Sequence, residues 1–276
     1  MQLVRIILLT SLVALAAAGC AGDQLIAPGT ITAESTAAAS GAGAAYADVA
    51  TGAAKPDGVP SPFADQPAAA TGGREVIEKP SREDVMLTGT LPEMSWGRAD
   101  APVTFVKYAS LTCPHCRKFH AEVFPELKRT YIDTGKVRFV LREFPIGKTS
   151  GTATIALRCA KPERYLELYG KFLSQQASWV SQEVRLDPIF SIARQVGMTR
   201  AEFDACLKNQ GMIDGLKWVK DRGRKLGVIG TPNFFVQERL IKSTLGWAEL
   251  KVLIDASLAA TGPATAAAPA TVAPGR

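Results

Sequence analysis

Four residues of this chain combine types and spacing that can carry chemistry: Cys113, Pro114, His115 and Cys116. Two thiols so spaced can close a small disulfide, and the thiolate is the reactive form of either sulfur. A thiol at a helix N-terminus, where backbone N–H groups point outward unpaired, falls to a pKa of roughly 3.5–7.5. His115 adds a second pull. Each unit of depression is about 1.4 kcal/mol of preference for the anion. In a dithiol that preference stabilises the reduced form and makes the disulfide more oxidising, by about 30 mV per 1.4 kcal/mol for two electrons. The motif predicts a redox pair with Cys113 as the reactive sulfur. Two other uses of the same residues stay open. A structural zinc site would need four ligands, for which Cys113, His115, Cys116 and His120 are the candidates in a chain with two histidines. An inert disulfide is the other.

The redox reading requires that the motif lie where a strand hands over to a helix. Val103 to Tyr108 is a nearly continuous apolar run, as in a buried strand. Cys116, Phe119, Val123, Leu127 and Tyr131 then recur at helical spacing up to Gly135, with Pro125 expected to kink the helix. Val137, Phe139 and Leu141 predict a second strand. From Thr149 to Leu226 the pattern is helical, with stripes at Tyr165, Leu168, Tyr169, Phe172 and Leu173 and at Ile189, Ile192, Ala193 and Val196. Thr199 to Glu202 reads as a capping box, and a further helix is expected from about Met212 to Lys225. Phe234–Val236 and Leu240–Ile241 read as a hairpin, and Ala248 to Ala260 as a closing helix.

Composition sets the boundaries. Residues 21–80 and 263–276 are rich in Ala, Gly, Pro, Thr and Ser and hold too little large apolar surface to offset backbone ordering at about 1–2 kcal/mol per residue. The folded part is expected over 85–262. Residues 1–80 carry four Lys and Arg against seven Asp and Glu, and residues 81–262 carry 27 against 19. The folded part is basic, but its cations are dispersed. The cluster from Lys217 to Lys225 reads as a solvated helix face, so nucleic acid is not an expected partner.

Arg5 followed by the apolar run Ile6–Ala18 reads as a secretory segment in residues 1–20, too short for the ~20 residues of a membrane span. Three outcomes compete: lipidation of Cys20 after cleavage in Ala17-Ala18-Gly19-Cys20, cleavage after an Ala-x-Ala that releases a soluble protein, and an uncleaved anchor. The first two deliver the core to an oxidising space outside the cytosol, where disulfides persist. Residues 21–84 would then form a tether spreading over about 40–45 Å.

The segments from Val106 to Cys116, Phe124 to Leu127, Arg142 to Pro145, Phe203 to Leu207 and Gly230 to Pro232 resemble the DsbA-like thiol:disulfide oxidoreductases of bacterial envelopes, in particular the alphaproteobacterial branch. The resemblance covers about residues 90–260. It implies an α/β thioredoxin fold with an inserted helical domain, divided as 85–148, 149–226 and 227–262, with 263–276 as a tail. It implies a cis Pro232 facing the disulfide, where the sequence alone reads a turn, and a Thr231 backbone that pairs with an extended substrate strand. It also implies a quinone-linked membrane oxidase like DsbB as partner.

Cys159 and Cys206 remain. Even parity and the compartment favour a structural disulfide, for which closing a 47-residue loop is worth about 4 kcal/mol, and a buried free thiol at Cys206 is the alternative. Lys107 departs from the resemblance, since DsbA-like proteins usually carry an acid six residues before the first cysteine. A lysine there would favour thiolate at Cys113 or Cys116, or would snorkel to water without effect. Gln237-Glu238 stands where relatives often have Asn-Gly at the hairpin turn.

These residues predict a monomeric envelope dithiol oxidase, possessing no cofactor beyond its own disulfide and no metal, that oxidises reduced exported proteins. A reductase or isomerase for a restricted client set, as in cytochrome c maturation, and a metal-handling lipoprotein are the competing readings.

Overall fold

A computed structural model describes residues 75–262. The secretory segment, Cys20, most of the expected tether and the tail at 263–276 lie outside the described residues.

The core is a five-stranded sheet of order β1-β3-β2-β4-β5. β2 (Val103–Ala109) and β3 (Val137–Glu143) are parallel, with Phe105 opposite Phe139 and Ala109 opposite Glu143. β1 (Met94–Trp96) joins β3 antiparallel, β4 (Asn233–Val236) joins β2 antiparallel, and β5 (Arg239–Ile241) closes the edge beside β4. A parallel pair needs a crossover, and here it is helical. α2 (Pro114–Glu122) is followed by α3 (Phe124–Leu127) and a π-helical turn, Lys128–Ile132. The expected kink falls at Val123, two residues before Pro125, because a proline is tolerated in the first turn of a helix and the chain restarts there.

The period-2 alternation of β2 divides the interior in two. Val103, Phe105 and Ala109 face a large cluster with Phe119, Leu127, Phe139 and Phe234, completed by Leu250 and Ile254 of α10 (Trp247–Thr261). Val106 and Tyr108 face the other side, with Val140, Phe144, Phe235, Leu226 and Val228.

Between β3 and β4 lie α4 (Gly147–Arg158), α5 (Pro162–Ser174), α6 (Gln176–Trp179), α7 (Leu186–Ala193), α8 (Arg200–Cys206) and α9 (Gln210–Lys225). The apolar stripe of α5 is buried throughout, and Thr199 and Glu202 form the capping box of α8. Cys159 and Cys206 are disulfide-bonded with their Cα atoms 6.1 Å apart, so Cys206 is not a free thiol. A buried ion pair, Arg158 with Glu143, ties α4 to the end of β3, and Tyr165 donates to the same carboxylate at 2.6 Å.

Order begins earlier than composition placed it. Ser81 caps α1 (Arg82–Met86), Ile77 donates to the Lys225 carbonyl at 2.8 Å, and Val85 is fully buried in the second cluster. This segment covers a sheet face that would otherwise meet water, so residues 75–84 belong to the folded unit rather than to a tether. Beside this segment, the hairpin turn places Gln237 at φ +57, a strained conformation for a non-glycine residue. Its side chain compensates by accepting from Thr104 N at 3.0 Å and donating to Pro102 O at 2.9 Å, extending the ladder beyond β4.

Gly223 of α9 lies against the aromatic pair of the second cluster. A Cβ there would stand 2.7 Å from Tyr108 Cε1 and 3.2 Å from Phe144 Cδ2. Gly223→Ala gains about 1 kcal/mol of helix propensity, but overpacking costs about 1–3 kcal/mol. The clash wins, and thermal denaturation is expected to show a Tm about 2–4 °C lower.

Candidate active site

The chain leaves β2 at Ala109, turns through Ser110 to Thr112 and enters α2 with Cys113 as its N-cap and Pro114 in the first turn. Cys113 has extended backbone angles, φ −77 and ψ 120, which aim its side chain back over the first helical amides, and Sγ accepts from Cys116 N at 3.3 Å. On the far side, Thr231 O lies 3.1 Å from the same sulfur, and the Thr231–Pro232 peptide is cis. The turn the sequence alone would place at Thr231-Pro232 is thus a cis-proline segment seated against Cys113.

The two sulfurs differ sharply in environment. Cys113 is half-buried and Cys116 fully buried, both as free thiols. A hydrogen bond from the Cys116 side chain is the largest influence on Cys113, and the backbone N–H groups of Cys116 and His115 add to it. Together they outweigh burial and hold Cys113 down to about 5. Thr231 lowers it as well, ahead of those backbone groups, and its carbonyl is a partner only for the protonated sulfur. Burial pushes Cys116 well above the ordinary thiol value, and its hydrogen bond to Cys113 raises it further. At neutral pH the pair is one anion and one neutral donor.

What reaches the sulfur from His115 is its backbone N–H. Its side chain is exposed and lines a groove with Lys118, Glu122, Pro232 and Leu245. His120 stacks on Phe124 at 5.1 Å and meets Tyr169 edge-on at 5.2 Å. Burial, then the charge of Lys107, lowers it to about 4, so it is neutral at pH 7. Among the described residues no three His, Cys, Asp or Glu side chains converge as a metal-binding group.

Lys107 does not reach water. It is 1% exposed on β2, with Nζ 4.4 Å from the Phe119 ring centroid and 5.6 Å from that of Tyr169. Burial lowers it to about 8, against the opposing pull of Cys116 and Cys113. The ammonium remains the dominant form at pH 7, and its charge in turn favours the thiolate of Cys116.

Two further contacts were not foreseen from the sequence. Ser110 Oγ lies 2.7 Å from Ser150 Oγ and accepts from Ile146 N at 3.3 Å, and Gln176 Nε2 donates to Leu111 O at 2.7 Å and Cys113 O at 3.1 Å. Both tie the cysteine turn to residues outside it. Gln176 sits in a polar stretch, Ser174 to Ser178, whose composition carries no sign of burial.

Within α/β proteins, a thiol pair at this handover from strand to helix, faced by a cis-proline, marks the thiol–disulfide exchange proteins built on the thioredoxin fold. Comparison with known proteins agrees. A thioredoxin family model matches residues 90–256, and the chain belongs to that family. Its relatives there are DsbA-like. A Rickettsia bellii protein named as a candidate protein-disulfide oxidoreductase is 31% identical over 169 residues, 59% of this chain and 64% of its own length. Disulfide bond formation protein D of Bacillus subtilis is 25% identical over 167 residues, 59% of this chain and 75% of its own. The crystal structure of Wolbachia pipientis alpha-DsbA1 superposes with a TM-score of 0.59 at 26% identity, covering 65% of this chain and 97% of that one. The chain spans less than two thirds of the length of the Rickettsia relative.

Two measurements check the electrostatics. Because Cys113 is depressed in the folded dithiol, its contribution to stability is complete above the unfolded thiol value of 9.0 and lost as pH falls through about 5. The stability of the reduced protein relative to the oxidised one, from denaturant melts, should therefore rise between about pH 5 and 9 and be flat below. Lys107→Met removes the buried cation, so thiolate titration should find Cys116 displaced further upward, with Cys113 still the first sulfur to ionise.

Proposed function

We propose that this protein is a thiol–disulfide oxidoreductase that passes the Cys113–Cys116 disulfide to reduced exported proteins in the cell envelope. The observation that carries the reading is the unequal dithiol: Cys113 at the N-cap, held down to about 5, and Cys116 buried and raised. A pair that favours its reduced form in this way gives up its disulfide readily.

In the forward reaction a substrate thiolate attacks Cys113 Sγ of the disulfide. A substrate–Cys113 bond forms, the Cys113–Cys116 bond breaks, and Cys116 leaves as a thiolate that takes up a proton. The second substrate thiolate then attacks the substrate sulfur of the mixed disulfide. The substrate disulfide closes and Cys113 departs as the stable thiolate. Two electrons pass from substrate to protein. The closeness of the Thr231 carbonyl to Cys113 Sγ, 3.1 Å, supports docking of an extended substrate strand along Thr231-Pro232, whose main-chain bonds would tolerate many side-chain sequences. Reoxidation would fall to a quinone-linked membrane oxidase like DsbB. Among the described residues no helix is long and apolar enough to cross a membrane, and attachment through Cys20 remains part of the proposal.

The oxidised protein should convert a reduced two-cysteine peptide stoichiometrically. Cys113→Ser should abolish the conversion, and Cys116→Ser, reacted with a peptide activated as a mixed disulfide, should accumulate the Cys113-linked adduct. A glutathione equilibrium as reducing as thioredoxin's, about −270 mV, would move the assignment to a reductase.

A further inference from the structure

The helical segment between β3 and β4 reaches the reactive turn through Ser150 on one flank and through a buried amide on the other. Gln176 is the first residue of α6 and is only 6% exposed. The platform beneath it is fixed: Trp179, one turn along, is fully buried, donates from Nε1 to Phe172 O at 2.8 Å and packs edge-on against the Phe172 ring of α5. From this platform the two hydrogens of Nε2 meet two carbonyls, Leu111 O at 2.7 Å and Cys113 O at 3.1 Å. The Cys113 carbonyl already accepts Arg117 N at 3.1 Å, the first hydrogen bond of α2, so Gln176 occupies its second lone pair. The turn is pinned on its other flank by Ser110 through Ser150 and Ile146.

We propose that Gln176 is a positioning residue, by which the inserted helices hold the Leu111–Cys113 turn in the one orientation that presents the Cys113 sulfur to the N–H groups of α2. The argument is geometric. A carbonyl held at both lone pairs fixes the peptide plane that follows it, and that plane sets where the N-cap side chain points. Hydrogen bonds weaken steeply with misalignment, so a turn free to rock loses the Cys116 N–Sγ contact, now 3.3 Å. The inserted helices thereby act on the acidity of the Cys113 sulfur through the carbonyl of its own residue. This proposal rests on the reading of Cys113 as the exchanging thiol.

The test uses the full chain, reduced, with the thiolate followed by ultraviolet absorbance against pH and the disulfide followed by equilibration with glutathione. Wild type is measured first: a midpoint not depressed below an ordinary thiol would defeat the exchange reading itself, independently of Gln176. Gln176→Leu keeps most of the volume and removes the donor. Gln176→Asn keeps a donor but is one methylene too short to reach both carbonyls. In both, the Cys113 midpoint should rise by about one unit, a tenfold loss in ionisation constant, and the disulfide should become less oxidising by a similar factor. Gln175→Ala, which removes the exposed amide pairing with Gln195, should change neither. A folded Leu or Asn variant with a lowered Tm but unchanged midpoint and glutathione equilibrium overturns the proposal, leaving Gln176 a packing residue. If neither variant folds, Gln176 is a determinant of folding and the proposal fails as well.

Discussion

The structure is organised around one electrostatic asymmetry: two sulfurs in the same turn of chain, one over the open end of a helix and the other beneath it. The first needs the N-terminus of α2 to point at it with nothing of like charge nearby, and the second needs exclusion from water. Both demands are met only if β2 ends four residues before Cys113 and α2 starts one residue after it. The central strand, its crossover and the cis-proline segment all converge on that handover. The rest of the core, from Phe105 to Ile254, serves to keep those few peptide planes from rocking.

Lys107 shows how this asymmetry is tuned from within. A cation buried between Phe119 and Tyr169 is costly by itself, since desolvation of an ammonium is repaid only by nearby negative charge or aromatic faces. Here it has both: ring faces on two sides and two sulfurs able to carry negative charge. The same charge suppresses protonation of His120. Behind the disulfide, therefore, one positive centre is sustained by the anionic state of the site it supports.

The chemistry of the site was readable before its support was. Cys113 to Cys116 is a local signal, and β2 is legible as a nearly continuous apolar run because both faces of that strand are covered. The stripes of α5 and α7 and the capping box of α8 were legible for the same reason, since short-range spacing alone defines them. What escaped depended on partners distant in sequence. β1 is three residues long and gains its identity from pairing with β3. Ile77 and Val85 look like strays in a polar segment until the sheet face they cover is known. Gln176 is unremarkable among its polar neighbours because nothing in a sequence reveals which carbonyls an amide will meet. Lys107 left two fates open, and the choice was made by two aromatic rings from two different helices.

The N-terminal segment has one further consequence. Val76 packs near Gly227 and Leu240, and Ile77 is bonded to the end of α9, beside the hairpin turn that Gln237 fastens to the beginning of β2. Cys113 follows the opposite end of that strand, about 20 Å away at a strand rise of about 3.3 Å per residue. Ile77 packs against the second cluster and Cys113 against the first, so the sheet itself stands between this segment and the reactive sulfur.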